Sequence, residues 1–339
     1  MRAFPAVRVA VAVTLALQSG CAAAPSPPAL STLAPVTQAA TPSPTETPAR
    51  SAADDEPPVL IGWQTGPDGA ALLLIGADGR VERLPLPVPP NGPVSAGRRG
   101  PLHFVSGPAA GPVLWTSDGP LAEPRWTSRP LVPPLRLDEP LAWLCVGPGD
   151  PPVALAVQST DNLVYLVGSE GRLHRLPPDG LFLRPGGCAW TDAGHVLVPA
   201  DEARMLHGIA FAMFRLDDGA SRLLEGTGGE QPAASDVSLA YVGRDAPGGN
   251  VVLVGPIPAP EGGLPPATLR LEPVGEAVLF RPVLSADGRR LAVVELGPGA
   301  TPTRLLLYEL LPGPTLVMET DLRGASDAGP VWVADPATD

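Results

Sequence analysis

The sequence predicts an all-β protein whose body is a six-bladed β-propeller. The first observation is that short apolar segments alternate with turn formers along most of the chain, which has 47 Pro and 38 Gly among 339 residues. The second is a four-strand pattern that recurs along the body. The third is that the first and last segments of the body together supply the strands of one blade. Closure of this kind removes the exposed sheet edge that an open ring would leave.

The charge of the chain excludes one large class of partner. It carries 35 acidic and 23 basic side chains, all of the latter Arg, for a formal net charge of −12. A protein that neutralises phosphates needs a basic surface, so we expect no nucleic-acid partner. The hydrophobic fraction of 44% is sufficient for a packed core despite the high Pro and Gly content.

The N-terminal segment has the pattern of a secretory signal peptide over residues 1–20. Arg2 and Arg8 precede an apolar run at residues 9–17. As a helix this run rises only about 14 Å, so it cannot cross a bilayer. The sequence Leu17-Gln18-Ser19-Gly20-Cys21 resembles a bacterial lipobox, which implies that Cys21 is acylated and becomes the mature N-terminus. The alternative is an ordinary signal peptide with a Cys at this place by chance.

Residues 21–58 are predicted to form a disordered tether. Ala, Pro, Ser and Thr dominate the segment, and large apolar residues are scarce, so the chain cannot offset the entropy of ordering. A lipid-anchored body needs such a spacer to clear the membrane surface. We therefore expect an extracytoplasmic protein that is anchored to the bacterial cell membrane through its N-terminal lipid, with a folded domain at residues 59–339.

The clearest blade lies near the C-terminus. Residues 280–294 read as a strand, a tight turn at Asp287-Gly288 and a second strand. Two further strands follow at residues 304–310 and 315–318, which makes four strands in about 40 residues, the size of one propeller blade. The same order recurs upstream, with another hairpin turn predicted at Asp218-Gly219.

The repeat has a narrow period when one position is aligned in each opening strand. The six apolar positions follow one another at intervals of 44 to 50 residues: Val94, Trp143, Trp190, Ala234, Leu284 and Trp332. We interpret the Trp residues as packing between blades rather than as a stacking platform for sugars or bases. The fourth strand of the unit that starts near Pro93 has no clear pattern. Seven blades are the alternative if an irregular stretch such as residues 120–134 holds extra strands.

Residues 282–294 read P-x-x-S-x-D-G-R-x-L-A-x-V, and residues 305–310 read L-x-L-Y-x-L. This unit resembles the blade repeat of TolB-type β-propellers. The resemblance implies a periplasmic or surface-exposed scaffold that binds proteins, and it implies that the motif is structural, with Asp287-Gly288 forming the turn between inner strands. It assigns no catalytic residue.

The sequence contains few reactive side chains in patterns that indicate catalysis or metal binding. His103, His174 and His195 fall in predicted strands, and neither they nor His207 form a local pair of metal ligands. There is no Lys for a phosphate-binding loop and no nucleophile elbow. We therefore predict no catalytic residue, no metal site and no cofactor, although an active site assembled from several blades leaves no local signature.

Cys145 and Cys188 are candidates for a disulfide. Cys145 follows Trp143 by two residues and Cys188 precedes Trp190 by two, which puts them in neighbouring opening strands. An oxidising compartment permits the bridge if the Cα atoms lie within about 7 Å. The alternative is a pair of buried thiols that act as small apolar side chains.

The leading functional hypothesis is a non-enzymatic propeller that binds a protein or envelope component. The rival is a secreted propeller enzyme of the hydrolase or lactonase type, which would gather acidic and His side chains at the mouth of the central channel. An assembly factor or sensor subunit is a third alternative. The residues that line the channel distinguish the binding hypothesis from the enzyme hypothesis.

Overall fold

The computed structural model describes residues 59–339 apart from 67–68, 77–79, 97–100, 120–122, 134–136, 149–154, 160–162, 178–180, 185, 202–208, 225–227, 246–248, 276, 298–301, 323–326 and 334–339. All of them belong to the second of the two units into which the chain divides, Ser51–Asp339. The predicted signal peptide (1–20), Cys21 and the tether (21–58) lie outside the described residues.

The described residues form six antiparallel sheets, which we name A to F in chain order. Sheet A contains β1 (Val59–Gly66), β2 (Gly69–Ile75), β3 (Val81–Pro85) and the C-terminal β25 (Asp327–Val333). Sheet B contains β4 (Ser95–Ala96), β5 (Leu102–Ser106), β6 (Val113–Asp118) and β7 (Arg125–Pro130). Sheet C contains β8 (Leu141–Val146), β9 (Leu155–Ser159), β10 (Val164–Val167) and β11 (Leu173–Arg175), with a 3-10 turn at Ser169–Gly171.

The other three sheets follow the same plan. Sheet D contains β12 (Phe182–Leu183), β13 (Ala189–Asp192), β14 (His195–Asp201), β15 (Ile209–Arg215) and β16 (Ser221–Leu223). Sheet E contains β17 (Glu230–Ala234), β18 (Ser238–Asp245), β19 (Gly249–Pro256) and β20 (Leu269–Leu271). Sheet F contains β21 (Val278–Leu284), β22 (Arg290–Leu296), β23 (Pro302–Glu309) and β24 (Thr315–Asp321).

The first and last described strands of the chain pair with each other, as the sequence predicted. The order in sheet A is β25-β1-β2-β3, and Leu60 lies opposite Trp332 across the antiparallel ladder. The remaining sheets are built from strands consecutive in the chain. Five of the six aligned repeat positions fall within β8, β13, β17, β21 and β25, and Val94 directly precedes β4.

Six hydrophobic clusters join the sheets into a ring. Each cluster contains buried side chains from two neighbouring sheets, and the last one joins sheet F back to sheet A. One residue pair from each cluster, in order around the ring, is Leu74 with Phe104, Leu114 with Leu144, Val164 with Val198, Phe211 with Tyr241, Val242 with Leu291, and Val294 with Ile75. A ring of sheets that pack face to face is the arrangement of a β-propeller.

The second strand of each sheet explains why the sequence reads as short continuous apolar runs. In β22 the six residues from Leu291 to Leu296 are all buried, and in β14 the five from Val196 to Ala200 are buried. A strand that packs on both faces cannot alternate apolar and polar residues. Burial of one large apolar side chain, such as Phe104 or Phe211, stabilises the fold by about 1.5–3 kcal/mol.

Two segments depart from the expected pattern. The stretch at residues 120–134, which could have held strands of a seventh blade, contributes β7, the outer strand of sheet B. In sheet D the inner strand is interrupted, because β12 pairs with one end of β14 and β13 pairs with the other. Gly186 and Gly187 lie in this interruption with φ angles of +142° and +97°, which an L side chain rarely adopts.

Within the part of the chain that the structure describes, no helix has the length and apolar character needed to span a membrane.

Candidate functional site

A cavity of about 610 Å³ lies where the innermost strands of the sheets converge. Its described wall comes from the first strands of sheets B to F, namely β4, β8, β13, β17 and β21, with adjoining residues. Strand β25 of sheet A contacts β4 and β21, the strands that flank the remaining gap. The cavity therefore occupies the centre of the ring, where propellers carry their channel.

The cavity reaches solvent at the hairpins that connect the first and second strands. Ala193, Asp236 and Ala286 line it, each is exposed, and they belong to the hairpins of sheets D, E and F. The backbone N–H of Asp236 donates to the carbonyl oxygen of Ala286 over 3.1 Å, which joins two neighbouring hairpins directly. This end of the ring is the mouth of the cavity.

The hairpin of sheet F is built as the sequence predicted. The Ser285 hydroxyl donates to Asp287 Oδ1 over 2.7 Å and accepts from the backbone N–H of Arg290 over 2.9 Å. Gly288 takes a φ of +70°, which glycine adopts without steric cost. The Ser-x-Asp-Gly segment thus closes its own turn, and the prediction that Asp287-Gly288 is structural is confirmed.

Two β-bulges shape the wall deeper in the cavity. The register of β17 shifts between Glu230 and Ala233, and that of β21 shifts between Phe280 and Val283. Gln231 and Arg281 lie within these bulges at φ angles of +55° and +48°, although neither is glycine. Gln231 Oε1 accepts a 2.7 Å hydrogen bond from the backbone N–H of Arg281, so the two bulges are linked across sheets E and F.

The wall is made mostly of small and apolar residues. Two of its aromatic residues, Trp143 from sheet C and Phe280 from sheet F, are half-buried. The described wall includes three charged side chains, which are Asp192, Asp236 and Arg281. Its small and aliphatic members include Val94, Ala96, Val146, Gly147, Gly186, Gly187, Ala189, Ala193, Pro232, Ala233, Ala234, Pro282, Val283 and Ala286.

Cys145 and Cys188 are joined by a disulfide in the structure, between β8 and the residue before β13. Their Cα atoms are 5.7 Å apart, within the usual range for a disulfide. The bridge ties sheet C to sheet D at the cavity wall. Beside it, the Trp190 indole N–H donates to the carbonyl oxygen of Cys145 over 3.0 Å.

The described tryptophans differ in their environment. Trp190 is buried in the cluster between sheets C and D, while Trp115 and Trp126 pack against the cluster between sheets A and B. These three agree with the interpretation of Trp as packing residues. Trp143 is half-buried, is not among the residues of the six clusters, and lines the cavity, as Trp190 also does.

An acid–histidine pair stands at the mouth. His195 Nδ1 lies 2.9 and 3.0 Å from the two carboxylate oxygens of Asp192, a residue of the cavity wall. Asp192 Oδ1 also accepts from the backbone N–H of Gly194 over 2.7 Å. The carboxylate therefore fixes the β13–β14 hairpin, and it holds the imidazole by one nitrogen.

The other two described His residues, His103 and His174, do not line the cavity. His103 is buried in β5, His174 is exposed in β11, and His207 lies outside the described residues. Among the residues that the structure describes, no three His, Cys, Asp or Glu side chains are grouped closely enough to hold a metal ion.

Sequence reasoning missed the parts of the site that depend on unusual backbone geometry. Gln231 and Arg281 each precede a proline, a context that disfavours the helical region of φ and ψ but does not announce a positive φ. The recurrence of an X-Pro pair in two opening strands, Gln231-Pro232 and Arg281-Pro282, is the signal that could have located the bulges. The sequence predicted the hairpin that contains Asp192 and His195, but not the contact between their side chains.

Comparison with known proteins gives similarity at the level of whole structures. No protein-family model matches the chain, and no curated protein matches it. TolB from Acinetobacter baumannii is similar with 14% identity and a TM-score of 0.46, over 86% of this chain and 88% of that one. The β-propeller domain of Myceliophteria thermophila Cps50 (Swd1) is similar with 13% identity and a TM-score of 0.49, over 82% and 90%.

A Lactobacillus plantarum protein is similar with 11% identity and a TM-score of 0.48, over 77% of this chain and 81% of its own. The fold class of the chain, an all-β propeller-like ring, follows from its own strand pairing and from the clusters that join its sheets.

Proposed function

We propose that this protein is a lipid-anchored, extracytoplasmic six-bladed β-propeller that binds a protein or envelope component. In this proposal residues 1–20 are the signal peptide, Cys21 carries the lipid, residues 21–58 are the tether and residues 59–339 form the body. The lipobox-like segment and the composition of the tether support the anchor. The six sheets of the described residues, with β25 paired to β1, support the count of blades.

The observation that carries the binding role is the composition of the cavity wall. A wall of small and aliphatic residues with two half-buried aromatics offers contact area and shape, which are what recognition requires. Among the charged side chains of the wall, Asp192 is engaged by His195 and Gly194, and the Arg281 guanidinium lies 5.2 Å from the centre of the Phe280 ring.

The partner surface that we propose is the face around the mouth. Val237 follows two residues of the cavity wall, Ser235 and Asp236, and its side chain is 60% exposed. Together with the exposed Ala193 and Ala286 at the mouth, Val237 provides apolar area that a partner can cover.

The Asp192–His195 pair is the observation that favours the enzyme alternative. A carboxylate that holds one imidazole nitrogen can orient the other as a general base, as hydrolases require. The binding role ranks first because the same carboxylate closes the hairpin by accepting from Gly194. Ester or lactone turnover by the purified protein that disappears in Asp192→Asn would reverse this ranking.

Replacement of Cys21 by Ser is expected to release the protein from the membrane fraction. The physical reason is that the acyl chains supply the membrane affinity, about 0.8 kcal/mol for each buried CH2 group. The measurement is the division of the protein between membrane and aqueous fractions after cell breakage, with Ser19→Ala as a control that keeps a small residue and the Cys. If Cys21→Ser stays as membrane-bound as the wild type, the anchor is elsewhere.

Substitution Val237→Arg is expected to reduce partner recovery about tenfold, because a charge in the centre of an apolar contact must be desolvated. The measurement is quantitative mass spectrometry of proteins that co-purify after chemical cross-linking in intact cells. The matched control is Val274→Arg, a residue 82% exposed in the segment between β20 and β21 and absent from the cavity wall. Equal recovery with both variants would remove the mouth as the contact surface.

A further inference from the structure

We propose that the central cavity binds a planar, largely apolar aromatic molecule, held between Trp143 on one wall and the Phe280–Arg281 pair on the other. This goes beyond the proposed function, because it assigns a small-molecule ligand to the interior of the ring. The proposal of a partner surface around the mouth and the proposal of this interior site are independent and are tested by different experiments.

The size of the cavity fits a small organic ligand. Its volume of about 610 Å³ falls in the range of about 300–1,000 Å³ that is typical of such sites. The wall is apolar on most of its described surface, and small side chains line it from several sheets, including Ala96, Ala189, Ala233 and Ala234. Gly186 and Gly187 also line the cavity and place no side chain in it.

Trp143 provides the first aromatic surface. It is half-buried in β8, it lines the cavity, and it is not a member of any of the six clusters that hold the ring together. Its Cδ1 lies 3.9 Å from the position that a Cβ on Gly187 would occupy, so this atom of the indole approaches a backbone segment that has no side chain. A large apolar side chain outside the core of the described residues, facing a cavity, is a natural contact surface for a ligand.

The second surface lies on the far side of the ring. The clusters order the six sheets around the ring, and sheets C and F are three places apart in that order. Trp143 and Phe280 therefore line the cavity from opposite sides. The Arg281 guanidinium lies 5.2 Å from the centre of the Phe280 ring. Guanidinium planes and aromatic rings both stack on aromatic molecules, which gives a flat ligand favourable contacts on this side.

The backbone is specialised at the same place. The register of β21 shifts between Phe280 and Val283, so Arg281 lies in a β-bulge next to Phe280, and both residues line the cavity. The positive φ angles of Gln231 and Arg281 are unfavourable for L residues, and such conformations gather at ligand sites. The hydrogen bond from the Arg281 N–H to Gln231 Oε1 fixes both bulges in this shape.

The experiment uses benzophenone, a neutral aromatic photo-crosslinker, on the detergent-solubilised full-length protein. After irradiation, peptide mass spectrometry maps the labelled residues over a range of benzophenone concentrations. We expect saturable labelling concentrated on the cavity wall, suppressed by excess naphthalene. Trp143→Ala removes one stacking surface and Ala233→Phe fills the cavity from another sheet, and each is expected to raise the half-saturating concentration about tenfold or more.

The matched control is Phe182→Ser, which removes an aromatic residue that is 65% exposed and does not line the cavity. It is expected to leave the labelling of the wall unchanged. Circular dichroism and melting temperature verify that each variant is folded. If a variant is not folded, the naphthalene competition on the wild type tests whether the cavity binds the aromatic probe. Labelling that does not saturate, that resists naphthalene, or that is unchanged in both cavity variants would overturn the proposal. Partner recovery in Val237→Arg reports on the proposed function independently.

Discussion

Replacing both Cys145 and Cys188 by Ala is expected to lower the free energy of unfolding by about 4 kcal/mol. The bridge spans 43 positions of the chain and ties sheet C to sheet D. Without it the unfolded chain regains the conformations that the closed loop excludes, and for a loop of this length the entropic cost is about 4 kcal/mol. Since both residues lie in the buried cluster between the two sheets, Ala keeps the site apolar and isolates the effect of the cross-link.

The measurement is denaturant unfolding of the wild type and of the double variant, each with and without a phosphine reductant. Reduction of the wild type is expected to reproduce the loss seen in the variant, while reduction of the variant is expected to change nothing further. Thiol titration of the unreduced, unfolded protein is the control, with no free thiol expected from Cys145 or Cys188. A wild-type unfolding midpoint that does not respond to the reductant would show that the bridge makes no contribution.

The disulfide also shows how far the sequence could lead. The positions of Cys145 and Cys188 relative to Trp143 and Trp190 placed them in neighbouring opening strands, and the structure has Cys145 in β8 and Cys188 immediately before β13. Sequence reasoning left open whether they are bridged, because the distance between two Cα atoms in different sheets depends on how the sheets pack. That packing is set by side chains in both sheets and has no local pattern.

Strands were predictable where burial imposes a pattern on them. Strands β14 and β22 are buried along most of their length, and their apolar runs mark them clearly. Strand β7 could not be located from the sequence because five of its six residues are exposed, so it has no apolar period. The two-residue strand β12 is too short for any period, and its Phe182 is exposed.

The candidate site was less predictable than the fold for a related reason. The turn at Asp287-Gly288 follows from local chemistry, since Gly accepts the positive φ and the Asp and Ser side chains bond to the nearby backbone. The bulges at Gln231 and Arg281 need support from a neighbouring sheet, in the form of the hydrogen bond between them. Each segment carries an X-Pro pair, but the contact that stabilises the bulges joins residues 50 positions apart, and neither segment alone specifies it.

Lowering the pH from 7 to 5 is expected to cost about 2 kcal/mol of stability through His103 alone. The residue is 5% exposed in β5, its Nδ1 lies 3.1 Å from Thr116 Oγ1, and its Nε2 has no hydrogen-bond partner among the described residues. Burial, with a smaller contribution from the positive charge of Arg129, lowers the pKa of His103 to about 4. The fold therefore holds this imidazole neutral.

The sign of the effect follows from proton binding. The unfolded chain binds a proton at His103 below a pKa of about 6.5, while the folded chain does so only below about 4. Between these values the unfolded state holds more protons, so stability rises with pH across this window. The free energy of unfolding that depends on a neutral His103 is fully present above pH 6.5 and is lost progressively as the pH falls towards 4. The total loss is about 3 kcal/mol.

The test compares the pH dependence of unfolding in the wild type and in His103→Phe, which keeps a planar ring of similar size in the buried site. Because carboxylates also titrate near the lower end of the window, the informative quantity is the difference between the two proteins at each pH. That difference is expected to change by about 2 kcal/mol between pH 7 and pH 5, with the variant less sensitive to acid. His174→Phe, which removes an exposed imidazole from β11, is the matched control for the loss of a histidine. Parallel pH profiles for the wild type and His103→Phe would mean that the buried imidazole accepts its proton without unfolding. In that case solvent or an acceptor must reach Nε2 in the folded ring.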